Sequence, residues 1–166
     1  MFFGASKDAF DLNRFIGVHM HLEAEVSEVL FSPDDDCFAI RQAARFVTQV
    51  YDRHLARVGL KTTQFSIMCR LRYRMWMTMK ELADSMVMER TSLVRAIQPL
   101  QRDGLVFTEA SRSNRRVLTV MLTSAGEERL KQAREHWRAA QQEFEERFGT
   151  KRAASLRGEL FDMTKR

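Results

Sequence analysis

Residues 78–126 combine two short helical segments with a hairpin that has an arginine-rich tip. Thr78 and Glu81 fit a capping box, which predicts that a helix begins there. A second helix should start near Arg90, and two β-prone runs then flank the polar tip at 111–116. This order is typical of a helix-turn-helix followed by a wing, with positive charge where a phosphate backbone would lie. The chain is therefore expected to bind double-stranded DNA.

The charge of the chain is unevenly distributed. Residues 1–36 hold two basic and eight acidic side chains, whereas the whole chain has a formal net charge of +5. Residues 37–166 consequently carry 25 basic and 14 acidic groups. This basic part suits a polyanion, because neutralised phosphates release counterions and supply affinity that is independent of sequence.

Length and composition suit one compact domain with an additional arm. The chain has 166 residues, and a hydrophobic content of 45% is sufficient for a core. It lacks the run of roughly 20 apolar residues that a membrane helix needs. Its first four residues also lack the basic-then-apolar pattern of a secretory signal. A cytoplasmic protein without a membrane partner is expected.

Motifs for catalysis and metal binding are missing from the sequence. It contains no Gly-rich phosphate loop, nucleophile elbow or paired-carboxylate motif, so we expect neither an enzyme nor a cofactor. Cys37 and Cys69 lack metal-ligand spacing, and His19 and His21 have no third ligand nearby. No metal site is expected.

Two helices are predicted before the helix-turn-helix. Apolar residues recur at three- and four-residue steps from Phe38 to Leu55, which indicates an amphipathic helix that ends at Gly59. The acidic turn at 32–36 precedes it and is suited to cap it. A further helix should begin near Thr62. Its core-facing residues would be Phe65, Ile67, Met68 and Leu71.

The second helix of the motif has distinct buried and exposed sides. Its periodicity predicts that Leu93, Ile97 and Leu100 face the core, and Pro99 should bend its last turn. Base contacts in this motif come from the first turns of the helix, which Pro99 leaves intact. The candidates for groove contact are Arg90, Thr91, Ser92, Arg95 and Gln98.

Two long helices are predicted after the hairpin. The first should run from Thr123 to about Phe148, with Gly149 as its stop, and the second from Thr150 to Met163. They carry more apolar residues than a monomer would bury, which favours a dimer interface. These residues are Trp137, Phe144, Phe148, Leu156, Leu160 and Phe161.

The same segments resemble the MarR family of winged helix-turn-helix regulators over residues 37 to about 148. The matching fragments are GL (59–60), TQF (63–65), ELA (81–83), RTSLV (90–94), LQRDGLV (100–106), NRR (114–116) and LTSAG (122–126). The resemblance implies a mainly α-helical fold with a small β-wing, and a two-fold homodimer on a pseudo-palindromic operator. Half-sites would lie roughly 34 Å apart. Such a regulator is usually a repressor that a small ligand or an oxidant releases.

The charge distribution and the resemblance together predict a division of the chain. Residues 1–36 would form an acidic arm, 37–60 and 123–166 the dimerisation helices, and 61–122 the DNA-binding lobe. In the wing, the family usually has Asp-x-Arg, and this chain has Asn114 in place of the aspartate. Arg116 is expected in the minor groove. Arg112 and Arg115 are expected to contact phosphates.

One possible trigger is oxidation. Cys37 at the start of the first helix, together with Arg45 and Tyr51, resembles the peroxide-sensing OhrR-like branch, and a helix N-terminus stabilises a reactive thiolate. The acidic residues at 34–36 oppose that thiolate by repulsion. The branch also has tyrosines where this chain has Arg41 and Thr62, so oxidant sensing is the alternative rather than the main hypothesis.

The main hypothesis is a small aromatic or anionic inducer. Arg41 is suited to meet a carboxylate, and methionine side chains adapt to irregular ligands. The candidate apolar walls are Phe46, Met68, Met75, Trp76 and Met86.

A hypothesis of another class is a winged-helix module whose basic face binds an acidic protein. DNA binding with several phosphate contacts would weaken steeply with salt and prefer one sequence, whereas such a module would have no operator preference.

Overall fold

Residues 35–110 and 117–165 are described by a computed structural model. They form a mainly helical fold with a small antiparallel sheet, which confirms the predicted fold class. The predicted arm before residue 35 and the wing tip at 111–116 lie outside the described residues. The elements are α1 (Asp36–Leu55), a 3-10 helix (Ala56–Val58), α2 (Thr62–Arg74), β1 (Trp76–Thr78), α3 (Met79–Ser85), α4 (Arg90–Arg102), β2 (Val106–Ala110), β3 (Leu118–Leu122), α5 (Ser124–Phe148) and α6 (Thr150–Met163).

The chain divides into two units, residues 1–43 and 44–166. In the described part of the first unit, Asp35 caps α1, because its Oδ1 accepts a hydrogen bond of 2.8 Å from the backbone N–H of Phe38. The acidic turn therefore caps the helix as predicted. Among the described helices of both units, none is both long and apolar enough to cross a bilayer.

The sheet contains the predicted hairpin and one further strand. β2 and β3 pair in antiparallel register with Thr108 opposite Val120, which confirms the hairpin. β1 pairs with the other edge of β3 and places Met77 opposite the same Val120. β1 was not predicted from the sequence. Its three residues are too few for an alternating pattern to be recognised.

The main core of the second unit is built by α2, α3, α4 and the sheet. The residues predicted to face inward from α2 and α4 are all buried, and they form one cluster with Leu82 of α3 and Val120 of β3. Full burial of one such side chain contributes on the order of 1.5–3 kcal/mol, so it decides which side of each helix points inward. These residues are Phe65, Ile67, Met68, Leu71, Leu93, Ile97 and Leu100.

The capping box at the start of α3 is present as predicted. The Thr78 hydroxyl accepts a hydrogen bond of 3.1 Å from the Glu81 N–H, and the Glu81 carboxylate accepts one of 2.8 Å from the Thr78 N–H. The hydrogen bond from the Thr78 backbone lowers the pKa of Glu81 below its ordinary value, and the hydrogen bond from the Thr78 hydroxyl adds to this effect. Two amides without a helical partner are thereby satisfied.

The start of α5 is joined to the turn that follows α4. Thr123 donates its hydroxyl to the carbonyl of Gly104 at 2.7 Å and its backbone N–H to the carbonyl of Leu105 at 3.1 Å. A Cβ atom on Gly126 would lie 2.0 Å from the Leu105 oxygen. Only glycine permits this close approach, which brings the first turn of α5 against the turn that follows α4.

The two long C-terminal helices have the predicted limits. Thr123 caps α5 through a hydrogen bond of 3.0 Å from the Gly126 N–H, and Gly149 separates α5 from α6. A small second cluster of Val50, Tyr51 and Ala140 joins α1 to α5. Trp137 stacks on Phe65 of α2 with ring centroids 6.2 Å apart.

Replacing Gly126 by alanine should destabilise the fold, because the added Cβ has no room beside the Leu105 carbonyl. Forced contacts in a packed interior cost about 1–3 kcal/mol. Urea unfolding followed by circular dichroism measures the change. The matched control is Gly158→Ala in α6, where a Cβ meets nothing within 4 Å. The control should be stabilised by up to about 1 kcal/mol through helix propensity. Equal effects at both glycines would contradict the close approach.

The Glu81 carboxylate should make stability depend on pH. A carboxyl group whose pKa is lowered by folding stabilises the folded state above its ordinary pKa, and this contribution is lost as the pH falls through the lowered value. Glu81→Gln keeps an acceptor but not the charge, so wild type should be more stable by about 0.3–1 kcal/mol at neutral pH.

Unfolding measured from neutral to strongly acidic pH should show that this advantage disappears in acid. Glu159→Gln is the control. Glu159 is exposed on α6 and pairs with no cation of the described residues. If wild type stays more stable than Glu81→Gln by the same amount in acid, the charge of Glu81 does not contribute to the cap.

Candidate nucleic-acid interface

Helix α4 presents a polar outer side to solvent. Leu93, Ile97 and Leu100 are buried, with at most 2% of each side chain exposed. The polar residues on the other sides of the helix point into solvent. All five residues predicted to contact a groove are exposed, namely Arg90, Thr91, Ser92, Arg95 and Gln98.

A tight turn sets the start of α4 relative to α3. Val87 has a φ of 51°, which is unusual for a β-branched residue, and the Met88 N–H donates to the carbonyl of Ala83 at 2.9 Å. Glu89 is then extended and begins α4 without a side-chain cap. The first amides of α4 are therefore not occupied by a capping side chain.

A cleft of about 620 Å³ lies beside the start of α4. Lys80 of α3 and Arg90 of α4 lie on its walls, and Leu118 at the start of β3 contributes apolar surface. The Lys80 ammonium is 3.0 Å from the Asp84 carboxylate. Neither Arg90 nor Arg95 forms an ion pair with a carboxylate of the described residues. Their guanidinium groups are thus available to an anionic partner.

The wing is connected to α4 by a side-chain hydrogen bond. Gln101 Nε2 donates to Thr108 Oγ1 of β2 at 3.2 Å, and Thr119 of β3 donates its hydroxyl to the Glu109 carbonyl at 3.2 Å. This role of Gln101 was not predicted, since a polar residue near a helix end gives no signal of its partner. Arg112, Arg115 and Arg116 at the tip lie outside the described residues and stay predictions.

The residues predicted to line a ligand pocket occupy different environments. Met68 is fully buried in the core, and Met86 is partly buried and packs against this core. Met75 and Trp76 are 75% and 55% exposed, and Phe46 lies under the Arg147 guanidinium at 4.8 Å. Arg41, in the first unit, is exposed. The five apolar candidates, all in the second unit, therefore do not line one common pocket within a single chain.

The residues predicted for oxidant sensing differ in accessibility. Cys37 is exposed in the first turn of α1. Tyr51 is buried, its hydroxyl donates to Gln141 Oε1, and burial raises the pKa of Tyr51 above its ordinary value. Burial likewise raises the pKa of Cys69, which keeps that thiol protonated. Among the described residues, no group of three or more His, Cys, Asp or Glu side chains is placed to hold a metal ion.

Comparisons with known proteins agree with this geometry. The MarR family model matches residues 60–118, which include the helix-turn-helix and the start of β3. The transcriptional regulator MosR of M. tuberculosis, solved in complex with DNA, is 33% identical over 80% of this chain and 100% of its own, with a TM-score of 0.66. No curated protein matches the chain by sequence.

Two less similar structures share the fold. An E. coli MarR cysteine-to-serine mutant with operator DNA is 20% identical over 75% of this chain and 90% of its own, with a TM-score of 0.68. The repressor CouR, bound to a DNA duplex, is 24% identical over 78% of this chain and 92% of its own, with a TM-score of 0.71. The resemblance stated from the sequence is confirmed: the chain belongs to the MarR family of DNA-binding transcriptional regulators.

Proposed function

We propose that the protein is a sequence-specific repressor that reads duplex DNA with α4. The observation that carries the proposal is the outer side of α4, where five polar residues are exposed opposite the buried leucines and isoleucine. In a helix-turn-helix this side enters the major groove. Arg90 and Arg95 are suited to guanine or phosphate, and Gln98 to adenine. Thr91 and Ser92 are suited to either base edges or phosphates.

The related structures support this proposal. MosR of M. tuberculosis was solved with DNA, and E. coli MarR with operator DNA. In the proposed complex, Arg116 enters the minor groove beside the half-site, while Arg112 and Arg115 contact the phosphate backbone. The cleft lined by Lys80 and Arg90 lies beside the start of α4, where the proposed complex places the phosphate backbone.

Exposed apolar side chains on α6 support assembly into a homodimer. Leu156, Leu160 and Met163 follow one another at three- and four-residue steps and are 37%, 40% and 69% exposed. A cleft of about 250 Å³ between α1, α5 and α6 continues this surface. Apolar patches of this kind mark protein contacts. In the proposed assembly residues 37–60 and 123–166 pair with a second copy, and residues 61–122 form the DNA-binding lobe.

Selection of bound fragments from genomic DNA tests the proposal. The protein should enrich one pseudo-palindromic sequence and lose affinity steeply as salt rises, because several phosphates are neutralised. A winged-helix module for an acidic protein would enrich no sequence. Equal binding to all fragments would overturn the proposed function.

Arg95→Ala should weaken binding to the selected operator by about 1–3 kcal/mol if Arg95 reads a guanine. Fluorescence anisotropy on the operator and on random duplex DNA measures both affinities. The control is Arg138→Ala, an exposed α5 arginine with no ion pair among the described residues. An equal loss on random DNA would show a phosphate contact instead of base readout.

The proposed trigger for release is a small aromatic or anionic ligand. Arg41 supplies a positive charge, and the exposed Met75 and Trp76 offer apolar surface. Met68 is fully buried in the core and offers no surface to a ligand, whereas Phe46 and Met86 stay predictions. Oxidation of Cys37 is the second candidate, and the exposure of this thiol in the first turn of α1 favours it.

Cys37→Ser separates the two triggers. If oxidation releases the operator, peroxide should dissociate wild type and leave Cys37→Ser bound, because serine forms no sulfenic acid. Cys69→Ser is the matched control, since Cys69 is half-buried and should leave the response unchanged. Gel shifts with and without peroxide measure release. A Cys37→Ser variant that is still released would exclude this thiol and leave the ligand hypothesis.

A further inference from the structure

Val94 is an exposed apolar side chain on the otherwise polar outer surface of α4. It is 37% exposed, whereas the exposed residues around it are arginine, threonine, serine and glutamine. The buried side of α4 is complete without it, since Leu93, Ile97 and Leu100 face the core. The packing of the protomer therefore does not account for an apolar residue at this position.

The helical period places Val94 between two candidate base contacts. Arg90, Val94 and Gln98 follow one another at four-residue steps and form one ridge, with Cβ atoms about 6 Å apart. If Arg90 and Gln98 reach into a groove, the residue between them faces the floor of the same groove. Pro99 does not disturb this ridge, because its effect falls on the last turn.

Valine has no hydrogen-bond donor or acceptor, so it recognises a base only through apolar contact. In the major groove the four base pairs present amino, carbonyl and ring-nitrogen groups, and thymine alone adds a methyl group. Burying the valine methyls against an amino or carbonyl group would leave that group without its water partner. The branched side chain is also restricted at χ1, so little entropy is lost on contact.

We propose that Val94 determines specificity by contacting the 5-methyl group of a thymine in each half-site. This inference rests on the proposed reading of DNA by α4. It adds a base contact that hydrogen-bonding residues do not provide, because the methyl group is an apolar feature of thymine and is what separates thymine from uracil in this groove.

Operators in which single thymines are replaced by deoxyuridine test the inference. The replacement removes one methyl group and keeps every base-pair hydrogen bond. One thymine position, present once in each half-site, should be sensitive to the replacement. Each uracil at that position should weaken wild-type binding about fourfold, which is the effect of one buried methyl group. The Val94→Ala variant should bind the thymine operator about as weakly as wild type binds the uracil operator. Its affinity should not change when uracil replaces thymine at that position.

The control variant is Val87→Ala, the same truncation at an exposed residue in the turn before α4. It should keep the wild-type sensitivity to uracil. Because Val94 is exposed and alanine favours helix, Val94→Ala should keep the wild-type melting temperature, which shows that it is folded.

Two results would overturn the inference while leaving the proposed function intact. One is a wild type that binds its operator but is indifferent to uracil at every thymine. The other is a Val94→Ala variant as sensitive to uracil as wild type. Failure of wild type to prefer any operator would instead overturn the proposed function, and the inference with it.

Discussion

The burial of one side of α4 is the constraint on which the rest of the structure depends. Leu93, Ile97 and Leu100 are each almost completely removed from solvent against α2, α3 and the sheet. Each contributes on the order of 1.5–3 kcal/mol, which far exceeds what exposed polar residues of the same helix gain from any rotation. The helix therefore has one stable orientation, in which its polar side faces outward.

The elements around α4 hold that orientation. The close approach of Gly126 to Leu105 and the hydrogen bond from Thr123 to Gly104 attach α5 to the end of α4. Gln101 attaches β2 to the same helix. These contacts join the start of α5, the end of α4 and β2 to one another.

Much of this arrangement follows from local patterns in the sequence. The capping box at Thr78, the period of α4 and the hairpin were all predicted, because each depends on residues that are close to one another in the sequence. Family membership confirms that the chain is not an enzyme, since these regulators act by binding DNA. β1 was missed because its pairing with β3 depends on residues more than 40 positions away.

The sequence by itself determined the order of the helices and of the hairpin, the caps at Thr78 and Thr123 and the side of α4 that is buried, since hydrophobic period and capping act over a few residues. Only the tertiary structure decided which residues touch across the chain. It placed Gly126 against Leu105, Gln101 against Thr108, and Met68 in the core while Met75 and Trp76 remain exposed. Such contacts depend on how several helices pack at once, and no local pattern encodes that packing.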